Sequence, residues 1–432
     1  MDKKAYILTF GCQMNEYDSE VLESILSTSG YLITDQPGKA DLAVINTCSV
    51  RQKAESRAMA HISQIAALKK SKPSMRVVVA GCMAKRAGQA IIDEIPGVDY
   101  VVGPDFIPDI PEIISGNDHI FIDEKSKTAS QPSLKSSGHK VSSYLAISRG
   151  CENYCSYCIV PYVRGSFRSR PVDDIIAEIK MLVDSGVKDI TLLGQNVNSY
   201  RDGDVDFPKL LHKLAPEAPS RLRFLTSHPK DLSDDLINCF SEIPNLCQSL
   251  HLPLQSGSDK ILKAMNRGYT LKHYLGLVEK LRKNVPSITL TTDLIVGFPG
   301  EKQEDFHKTL KAVEDIGFDW AFMFKYSVRP RTAAARLPDN VPENVKIDRL
   351  NSLIALQMAI SARKNAHWLG HTLEVLIEGQ SRRQPFIPKG RSRGGQPVLI
   401  TDNPQLKQGD IAMATVNSAN AKTLLAKFEK LA

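Results

Sequence analysis

Six of the eight cysteines in this sequence of 432 residues form two groups of three. One group, the loop trio, consists of Cys151, Cys155 and Cys158 in the segment RGCENYCSYC. Three thiolates in one short loop can bind three irons of a 4Fe-4S cluster and leave the fourth iron open to an outside ligand. Structural zinc would need a fourth Cys or His at regular spacing, and a disulfide would need an oxidising compartment. The C-x3-C-x2-C spacing therefore favours a 4Fe-4S cluster.

The other group, the N-terminal trio, consists of Cys12, Cys48 and Cys82 in three similar segments, AYILTFGC, DLAVINTC and RVVVAGC. Each segment is a short apolar run followed by a helical pattern, which predicts buried parallel strands of successive βα units. Because the carboxyl ends of such strands share the sheet edge where ligands bind, these cysteines are candidate ligands. Three inert buried cysteines are the alternative. Cys239 and Cys247 follow no such strand and are predicted to lie in the core.

The pattern of the whole chain predicts an α/β protein whose domains position these cysteines. Residues 1–123 alternate strands and helices, which predicts an N-terminal parallel α/β domain, and residues 124–140 are polar and predict a linker. Residues 141–366 predict a partial (β/α)6 barrel with its site at the strand carboxyl ends. Residues 367–432 contain short β-type runs and predict a small β-barrel. The six strand candidates of the central domain are SYLAIS, DITLLG, LRFLTS, QSLHLPL, ITLTTDLIVGF and WAFMFKYS.

The formal charge of +7 suggests an anionic partner, and much of the excess lies near the end of the chain. Residues 367–432 contain nine Lys and Arg against five Asp and Glu. Lys389, Arg391 and Arg393, in the run KGRSRGG, predict a basic loop on the barrel that could bind the phosphates of such a partner. Phe386 could stack on a base, although packing in the barrel core is the favoured interpretation.

The sequence contains no feature typical of a membrane or secreted protein. It has no run of 18 apolar residues, and its first residues, MDKKAYILTFGC, lead directly into a predicted strand. We therefore expect neither a membrane span nor a secretory signal. The expected location is the cytoplasm, where thiols stay reduced.

Several motifs together resemble one family. RGCENYCSYC is similar to the signature loop of radical S-adenosylmethionine enzymes, and the chain as a whole resembles the methylthiotransferases, which have an N-terminal cluster domain, a radical domain and a C-terminal RNA-binding domain of the TRAM type. Ser166, Phe167 and Arg331 depart from the usual pattern and bear on the substrate loops. The motifs GCQMNEYDSE, NTCSVR, CIVPYVRG, LTSHP and HLPLQSGS resemble the branch that modifies isopentenylated adenosine in tRNA.

The resemblance implies an enzyme that adds a methylthio group to carbon 2 of N6-isopentenyladenosine at position 37 of tRNA. No side-chain base can deprotonate such an aromatic carbon at neutral pH, so a radical generator is needed. By resemblance, the loop trio holds the 4Fe-4S cluster that reduces S-adenosylmethionine, and the N-terminal trio holds a second 4Fe-4S cluster that carries the sulfur.

The resemblance also implies cofactor contacts and partners. Asp293 and Gly297, in DLIVGFPGE, resemble the strand and turn along which radical enzymes place the adenine of S-adenosylmethionine. Gln195, in LLGQN, corresponds to the strand end that meets the methionine amino group, and Tyr157 is a further candidate. The implied partners are the anticodon stem-loop of tRNA and an electron donor such as a flavodoxin or ferredoxin, while the sulfur donor is not implied.

Two other functions are compatible with the same residues. An enzyme of the same class could modify threonylcarbamoyladenosine in tRNA or a ribosomal protein. A non-catalytic iron-sulfur protein that binds RNA and stores or donates sulfur is the alternative from a different class. Only the enzymes would cleave S-adenosylmethionine under reduction.

Overall fold

The computed structural model describes residues 3–49, 52–124 and 140–432. The predicted linker, residues 124–140, lies almost entirely outside the described residues. The predicted domain limits remain predictions, although three separate sheet systems follow one another along the chain. Within the described part of the chain, no helix has both the length and the hydropathy that a bilayer crossing requires.

The N-terminal part is a six-stranded sheet in the order β2-β1-β3-β4-β5-β6, and each pairing of neighbours is parallel. Every residue of the central strand β3 is buried, because helices cover both faces of the sheet. The strands are β1 Lys3–Thr9, β2 Tyr31–Ile33, β3 Leu42–Thr47, β4 Arg76–Gly81, β5 Tyr100–Val102 and β6 Ile120–Phe121. The helices are α1 Gln13–Thr28, α2 Gln52–Ala67, α3 Cys82–Ala87, α4 Gln89–Glu94 and α5 Ile110–Ile113.

The central part is an open barrel of parallel strands surrounded by helices. Each of the six predicted runs forms one strand of this barrel, and the strands lie side by side in chain order. They form two three-stranded sheets, which a β-bridge between Leu222 and Leu246 connects. The prediction of a partial (β/α)6 barrel is therefore confirmed. The six strands are β7 Ser142–Ala146, β10 Asp189–Leu193, β13 Arg221–Phe224, β14 Ser249–His251, β15 Thr289–Val296 and β16 Trp320–Lys325, and the short pairs are β8 Ser148–Arg149 with β9 Arg168–Ser169 and β11 Arg201–Asp202 with β12 Val205–Asp206. The helices are α6 Val160–Arg164, α7 Val172–Asp184, α8 Phe207–Leu214, α9 Asp234–Glu242, α10 Asp259–Ala264, α11 Leu271–Asn284, α12 Gln303–Ile316 and α13 Glu343–Ala366.

The C-terminal part is a closed five-stranded barrel in the order β17-β18-β19-β21-β20, as predicted. The expectation that KGRSRGG is a loop is wrong in part, because its first residues belong to strand β18. Burial alternates along β18. Pro388, Gly390 and Ser392 point inward, and the basic residues between them point outward, which is the two-residue period of a strand. The strands are β17 Thr372–Gln380, β18 Pro388–Ser392, β19 Pro397–Ile400, β20 Ile411–Ala419 and β21 Leu424–Leu431.

The C-terminal barrel docks on the amino-terminal ends of the central strands. Arg221, the first residue of β13, donates through Nη1 to the backbone oxygen of Arg391 at 2.6 Å. Arg223 donates through Nη1 to the backbone oxygen of Arg393 at 2.8 Å. Arg221 is completely buried, and its carboxylate partner is Glu374 of β17. The carboxyl ends of the central strands, where the loop trio lies, therefore stay free of this barrel.

Candidate functional site

The N-terminal trio lies at the carboxyl edge of the first sheet. Cys12, Cys48 and Cys82 follow β1, β3 and β4, which are neighbours in the sheet. Cys12 and Cys48 are hydrogen-bonded through their side chains, and Cys82 interacts electrostatically with Cys12. Residues far apart in sequence therefore meet because parallel strands end at a common edge.

Glycines before two of these cysteines allow the close approach. Gly11 has a φ of 140°, and a Cβ at this position would lie 2.6 Å from the Cβ of Cys48. Gly81 has a φ of 93°, and a Cβ there would lie 2.4 Å from the backbone oxygen of Thr47. Only glycine tolerates both the left-handed backbone and the lack of space. The Gly-Cys pairs in the sequence are thus a steric requirement of this edge.

Two buried asparagines fix the start of α1 against the end of β3. Asn15 donates through Nδ2 to Asn46 Oδ1 at 2.9 Å and to the backbone oxygen of Thr47 at 3.0 Å. Asn46 donates back to the backbone oxygen of Asn15 at 2.9 Å. The backbone N–H of Asn15 donates to the backbone oxygen of Cys12 at 2.9 Å, and Cys12 Sγ lies 3.4 Å from Asn15 Oδ1. Asn15 belongs to the motif GCQMNEYDSE, so this motif holds Cys12 in place.

The thiols of the N-terminal trio have different acidities. The side-chain hydrogen bond from Cys48, helped by Arg164 and by backbone N–H groups at the start of α1, lowers the pKa of Cys12 to about 5 even though burial opposes the charge. Burial raises the pKa of Cys82, and the positive charge of Arg164 counteracts this effect. Since a thiolate is the form that binds metal, Cys12 is ready to act as a ligand at neutral pH.

The loop trio lies in the connection after β8 at the barrel's carboxyl end. Its first turn depends on Gly150, whose φ is 76° and where a Cβ would lie 1.9 Å from the backbone oxygen of Ser166. The backbone N–H of Cys158 donates to the oxygen of Cys155 at 2.9 Å, which closes a tight turn. The loop is anchored on the end of α10, because Ser156 donates its backbone N–H to the oxygen of Met265 at 2.9 Å.

A buried arginine, Arg267, contacts this second group of cysteines. Its Nη1 donates to Cys155 Sγ at 3.1 Å and to the hydroxyl of Tyr157 at 3.5 Å. Burial, together with the charge of Cys155, raises the pKa of Cys158 to about 12, and burial also raises the pKa of Cys151. These thiols would therefore need a bound metal to lose their protons at neutral pH.

No three His, Cys, Asp or Glu side chains among the described residues converge closely enough to hold a single metal ion. This does not disagree with cluster binding, because each thiolate of a 4Fe-4S site binds a different iron and the sulfur atoms need not share one centre. Both trios offer the three thiols that such a cluster requires.

Two of the predicted contacts to S-adenosylmethionine border the barrel's carboxyl end. Gln195 follows β10, and its Oε1 is buried without a hydrogen-bond partner among the described residues. Tyr157 packs against the apolar group that includes Phe298 and Tyr326, and burial raises the pKa of its hydroxyl. A buried carbonyl oxygen without a donor is costly, so a ligand that brings an N–H group would fit at Gln195.

The other two predicted contacts lie along β15 and its turn. Asp293 is part of β15, and its Oδ2 lies 3.4 Å from Nε2 of His251. Gly297 has a φ of 71°, and a Cβ there would lie 2.4 Å from the Cγ of Lys346 on α13. The N–H of Gly297 donates to Glu301 Oε1 at 2.9 Å. This glycine thus permits the packing of α13, and its contact with a cofactor stays a prediction.

Buried polar atoms without partners cluster at the carboxyl ends of the central strands, and sequence reasoning missed most of them. The backbone is also strained there, since Thr226 and Gln255 have φ values of 65° and 69°. The only sequence signal was that LTSHP and HLPLQSGS end predicted strands. The atoms, all within the described residues, are Gln195 Oε1, Asn196 Oδ1, Ser227 Oγ, His228 Nε2 and Gln255 Oε1.

The predicted RNA-binding residues differ in their surroundings. Lys389 and Arg391 lie on the outer face of β18, and Arg391 is half-exposed with its Nε 3.3 Å from Glu378 Oε1. Arg393, in contrast, donates to the backbone oxygens of Ser220 at 3.1 Å and Pro244 at 2.6 Å. The structure thus uses Arg393 to dock the C-terminal barrel on the central domain.

Phe386 lies in the connection between β17 and β18 and is 83% exposed. The expectation that it packs in the barrel core is therefore wrong. The barrel is filled instead by residues of its strands, such as Val375, Val398 and Ala414. Arg382 and Arg383, in the same connection, are also exposed.

Comparisons with known proteins agree with this arrangement. The profile of the uncharacterized protein family UPF0004 matches residues 4–103, and the profile of the radical SAM superfamily matches residues 145–313. A solved structure of the radical S-adenosylmethionine methyltransferase TsrM from Kitasatospora setae matches with a TM-score of 0.59 at 14% identity, over 77% of this chain and 75% of that one. At this identity the likeness shows the fold alone.

Two curated relatives cover nearly the whole chain. A protein of Thermodesulfovibrio yellowstonii named tRNA-2-methylthio-N(6)-dimethylallyladenosine synthase is 45% identical, over 98% of this chain and 96% of its own length. A protein of Clostridium novyi with the same name is 43% identical, over 98% of this chain and 96% of its own length. With the two cysteine trios at their sheet edges and this similarity over its length, the chain belongs to the family of tRNA-2-methylthio-N(6)-dimethylallyladenosine synthases.

Proposed function

We propose that this enzyme adds a methylthio group to carbon 2 of N6-isopentenyladenosine at position 37 of tRNA. The observation that carries this function is the pair of cysteine trios at the carboxyl edges of two parallel sheets. One short segment of the chain leaves the loop trio and packs against the N-terminal trio. Ile159 directly follows Cys158 and packs against Cys82, so the segment that leaves one trio covers the other. A threonylcarbamoyladenosine or ribosomal-protein substrate would use the same trios, so the relatives named for dimethylallyladenosine are what favour the proposed substrate over these alternatives and over a non-catalytic protein.

The residues present fit the cofactors of this family, which are two 4Fe-4S clusters and S-adenosylmethionine. Each trio supplies three thiols. A buried polar atom without a partner among the described residues also lies beside each site. This atom is Arg164 Nη1 near the N-terminal trio and Gln195 Oε1 at the barrel end. When bound, these groups supply the radical that removes the hydrogen from carbon 2 and the sulfur and methyl group that replace it.

The proposed role of the chain itself is to hold and shield these groups. Gln195 and Tyr157 are the best supported contacts to S-adenosylmethionine. Gln195 offers a buried carbonyl oxygen without a partner among the described residues, and Tyr157 lies between Cys155 and Cys158. Asp293 is proposed to face the adenosine moiety together with His251. His228 presents a neutral ring toward the same end, because burial lowers its pKa to about 2.

The RNA is proposed to bind through its anticodon stem-loop. Lys389 and Arg391 on β18 and the exposed Phe386 support this interpretation, since exposed basic and aromatic side chains contact phosphates and bases. Arg393 is proposed to act indirectly, by holding the barrel in place. An electron donor such as a flavodoxin or ferredoxin is proposed as a further partner, and the cytoplasm as the location.

The function can be tested with anaerobically reconstituted protein, S-adenosylmethionine, a reductant and isopentenylated tRNA. Mass spectrometry of the tRNA nucleosides should detect the 2-methylthio derivative, together with 5′-deoxyadenosine from the cofactor. Parallel reactions with threonylcarbamoylated tRNA and with ribosomal proteins should leave these substrates unchanged. Methylthiolation of either of them in place of the isopentenylated tRNA would overturn the proposed substrate, and cofactor cleavage absent from every reaction would overturn the radical chemistry.

The cysteine assignment is tested in the same reaction. Cys155→Ala should abolish both products, and Cys82→Ala should abolish the methylthio product. Cys239→Ala is the matched control, because Cys239 is also buried but lies in the core of the central domain. Full activity of either site variant would contradict the assignment.

A further inference from the structure

A short segment of the central domain covers the N-terminal trio. Helix α6, Val160–Arg164, begins two residues after Cys158 and packs against α3, the short helix that begins at Cys82. Ile159 and Val163 pack against Cys82. The environment of the N-terminal trio is therefore completed by residues that belong to the radical domain.

Arg164 ends this helix and crosses the interface between the two domains. Its Nη2 donates to Asp18 Oδ2 of α1 at 3.1 Å, and Arg149 donates through Nη2 to Asp18 Oδ1 at 2.5 Å. Arg164 is 4% exposed and Asp18 is 1% exposed. One carboxylate of the N-terminal domain thus orients two arginines of the central domain.

The guanidinium of Arg164 also faces the cysteines. It interacts with Cys82 through a hydrogen bond and through charge, and with Cys12 through charge. Its Nη1 is buried without a hydrogen-bond acceptor among the described residues. A buried N–H donor of this kind is costly unless an acceptor that is not part of the chain lies next to it.

The charges around this point favour an anionic neighbour. Arg164 places its positive charge beside Cys82 and Cys12, and it shares its carboxylate partner, Asp18, with Arg149. An arginine keeps its charge when buried and offers several donors in a rigid plane. Hydrogen bonds to sulfur and the local net charge are the means by which a protein sets the reduction potential of an iron-sulfur cluster.

We propose that Arg164 is a positioning residue for the N-terminal cluster, to whose sulfur atoms it supplies an N–H donor and a positive charge from the other domain. This inference rests on the proposed function, because it requires a cluster on the N-terminal trio. It adds that the site is complete only when the two domains are docked. The donor and the charge stabilise the reduced, more negative cluster and protect it from loss.

A purely structural role is the competing explanation, and the chain contains a matched residue for it. Arg170 is a buried arginine at the same interface, 7% exposed, and no cysteine is among its described contacts. Its Nη2 lies 2.7 Å from Glu178 Oε2, and its Nη1 donates to the hydroxyl of Tyr17 at 3.2 Å. Arg170→Gln therefore weakens the interface without touching the proposed cluster.

The first experiment measures the N-terminal cluster alone, in the full-length chain with Cys151, Cys155 and Cys158 replaced by alanine. Iron and sulfide quantitation first establishes that this protein binds one cluster. In this background Arg164→Gln should make the midpoint potential in an EPR-monitored titration more negative and accelerate cluster loss to a chelator by about 10–100-fold. Arg164→Lys, which keeps the charge, should recover part of the potential. Arg170→Gln should change neither quantity.

A second variant covers the case in which Arg164→Gln does not fold. Asp18→Asn removes a negative charge beside the same cluster and should shift the midpoint potential in the opposite direction, to more positive values. General damage to the interface would not produce shifts of opposite sign. The inference is overturned if Arg164→Gln matches Arg170→Gln, or if Asp18→Asn leaves the potential unchanged or lowers it. If the parent protein binds no cluster, the proposed function fails instead.

Discussion

The loop trio and the N-terminal trio provide the same three thiols by different routes. Cys151 and Cys158 are separated by a short stretch of one loop, whereas Cys12 and Cys82 come from strands that only the folded sheet brings together. Each site has a buried arginine beside a cysteine. Arg267 belongs to the same domain as its partner Cys155, while the arginine near Cys82 comes from the neighbouring domain.

This difference bears on how each site responds to change. The loop trio can form once the central barrel has folded, since its loop rests on α10 of that barrel. The N-terminal trio needs its own sheet and also the docked helix α6. The acidities of the thiols also vary, since a hydrogen bond lowers the pKa of Cys12 to about 5, whereas burial raises that of Cys82 and raises that of Cys158 to about 12.

The largest effect is expected from removing a single cysteine of either trio. Cys82→Ala and Cys155→Ala should each lose one cluster, about four of eight irons per chain, and keep the other. Iron and sulfide quantitation after anaerobic reconstitution measures this loss. Cys247→Ala, at a buried cysteine outside both trios, should retain both clusters. Loss of both clusters in one of the site variants would mean that the two sites depend on each other.

The glycine next to a cysteine should matter at both sites. Gly150→Ala would place a Cβ 1.9 Å from the backbone oxygen of Ser166, and Gly81→Ala would place one 2.4 Å from that of Thr47. Each should lower the free energy of unfolding of the metal-free protein by about 3 kcal/mol or more. Gly186→Ala, with a φ of 91° but open space around it, should cost about 1 kcal/mol in the same urea titrations. Equal costs for all three would show that the backbone conformation alone explains them.

Acid should destabilise the barrel end near the loop trio through His228. Burial, with Arg267 and Lys230 nearby, lowers the folded-state pKa of His228 to about 2, below its ordinary value of 6.5. The neutral ring therefore contributes stability that is present above pH 6.5 and lost as the pH falls, by about 1.4 kcal/mol per pH unit. His228→Gln should flatten this slope between pH 6.5 and 4.5 in urea titrations of the metal-free protein. His273→Gln, at an exposed histidine, should retain it, and an unchanged slope in His228→Gln would contradict the prediction.

The smallest effect is expected from a substitution at the proposed RNA-binding surface. It should weaken tRNA binding and leave both cysteine sites unchanged. Phe386→Ala should weaken binding of isopentenylated tRNA by about tenfold, since stacking on a base contributes roughly 1–3 kcal/mol. Filter binding at fixed salt measures this change, and the iron content should stay constant. Leu431→Ala, at an apolar side chain that is 57% exposed, serves as the control. Unchanged binding in Phe386→Ala would exclude base stacking at this position.

Some features of the fold were accessible from local patterns. The six strand candidates of the central domain form its six long strands, because apolar runs between helical segments have few other ways to bury themselves. The strand β18 was missed because small residues that alternate with charges lack the apolar signal of a strand. Phe386 was placed wrongly because hydrophobicity predicts burial only on average, and an exposed aromatic is a matter of tertiary position.

The sequence by itself determined the thiols, their spacing and the strand ends that carry them, because these depend on residue type and on short-range periodicity. Only the tertiary structure decided which charges surround each trio. Arg164 and Asp18 lie in different domains, and no local pattern relates them. The docking of α1 and α6 brings them together beside Cys82, where burial makes their charges and hydrogen bonds effective.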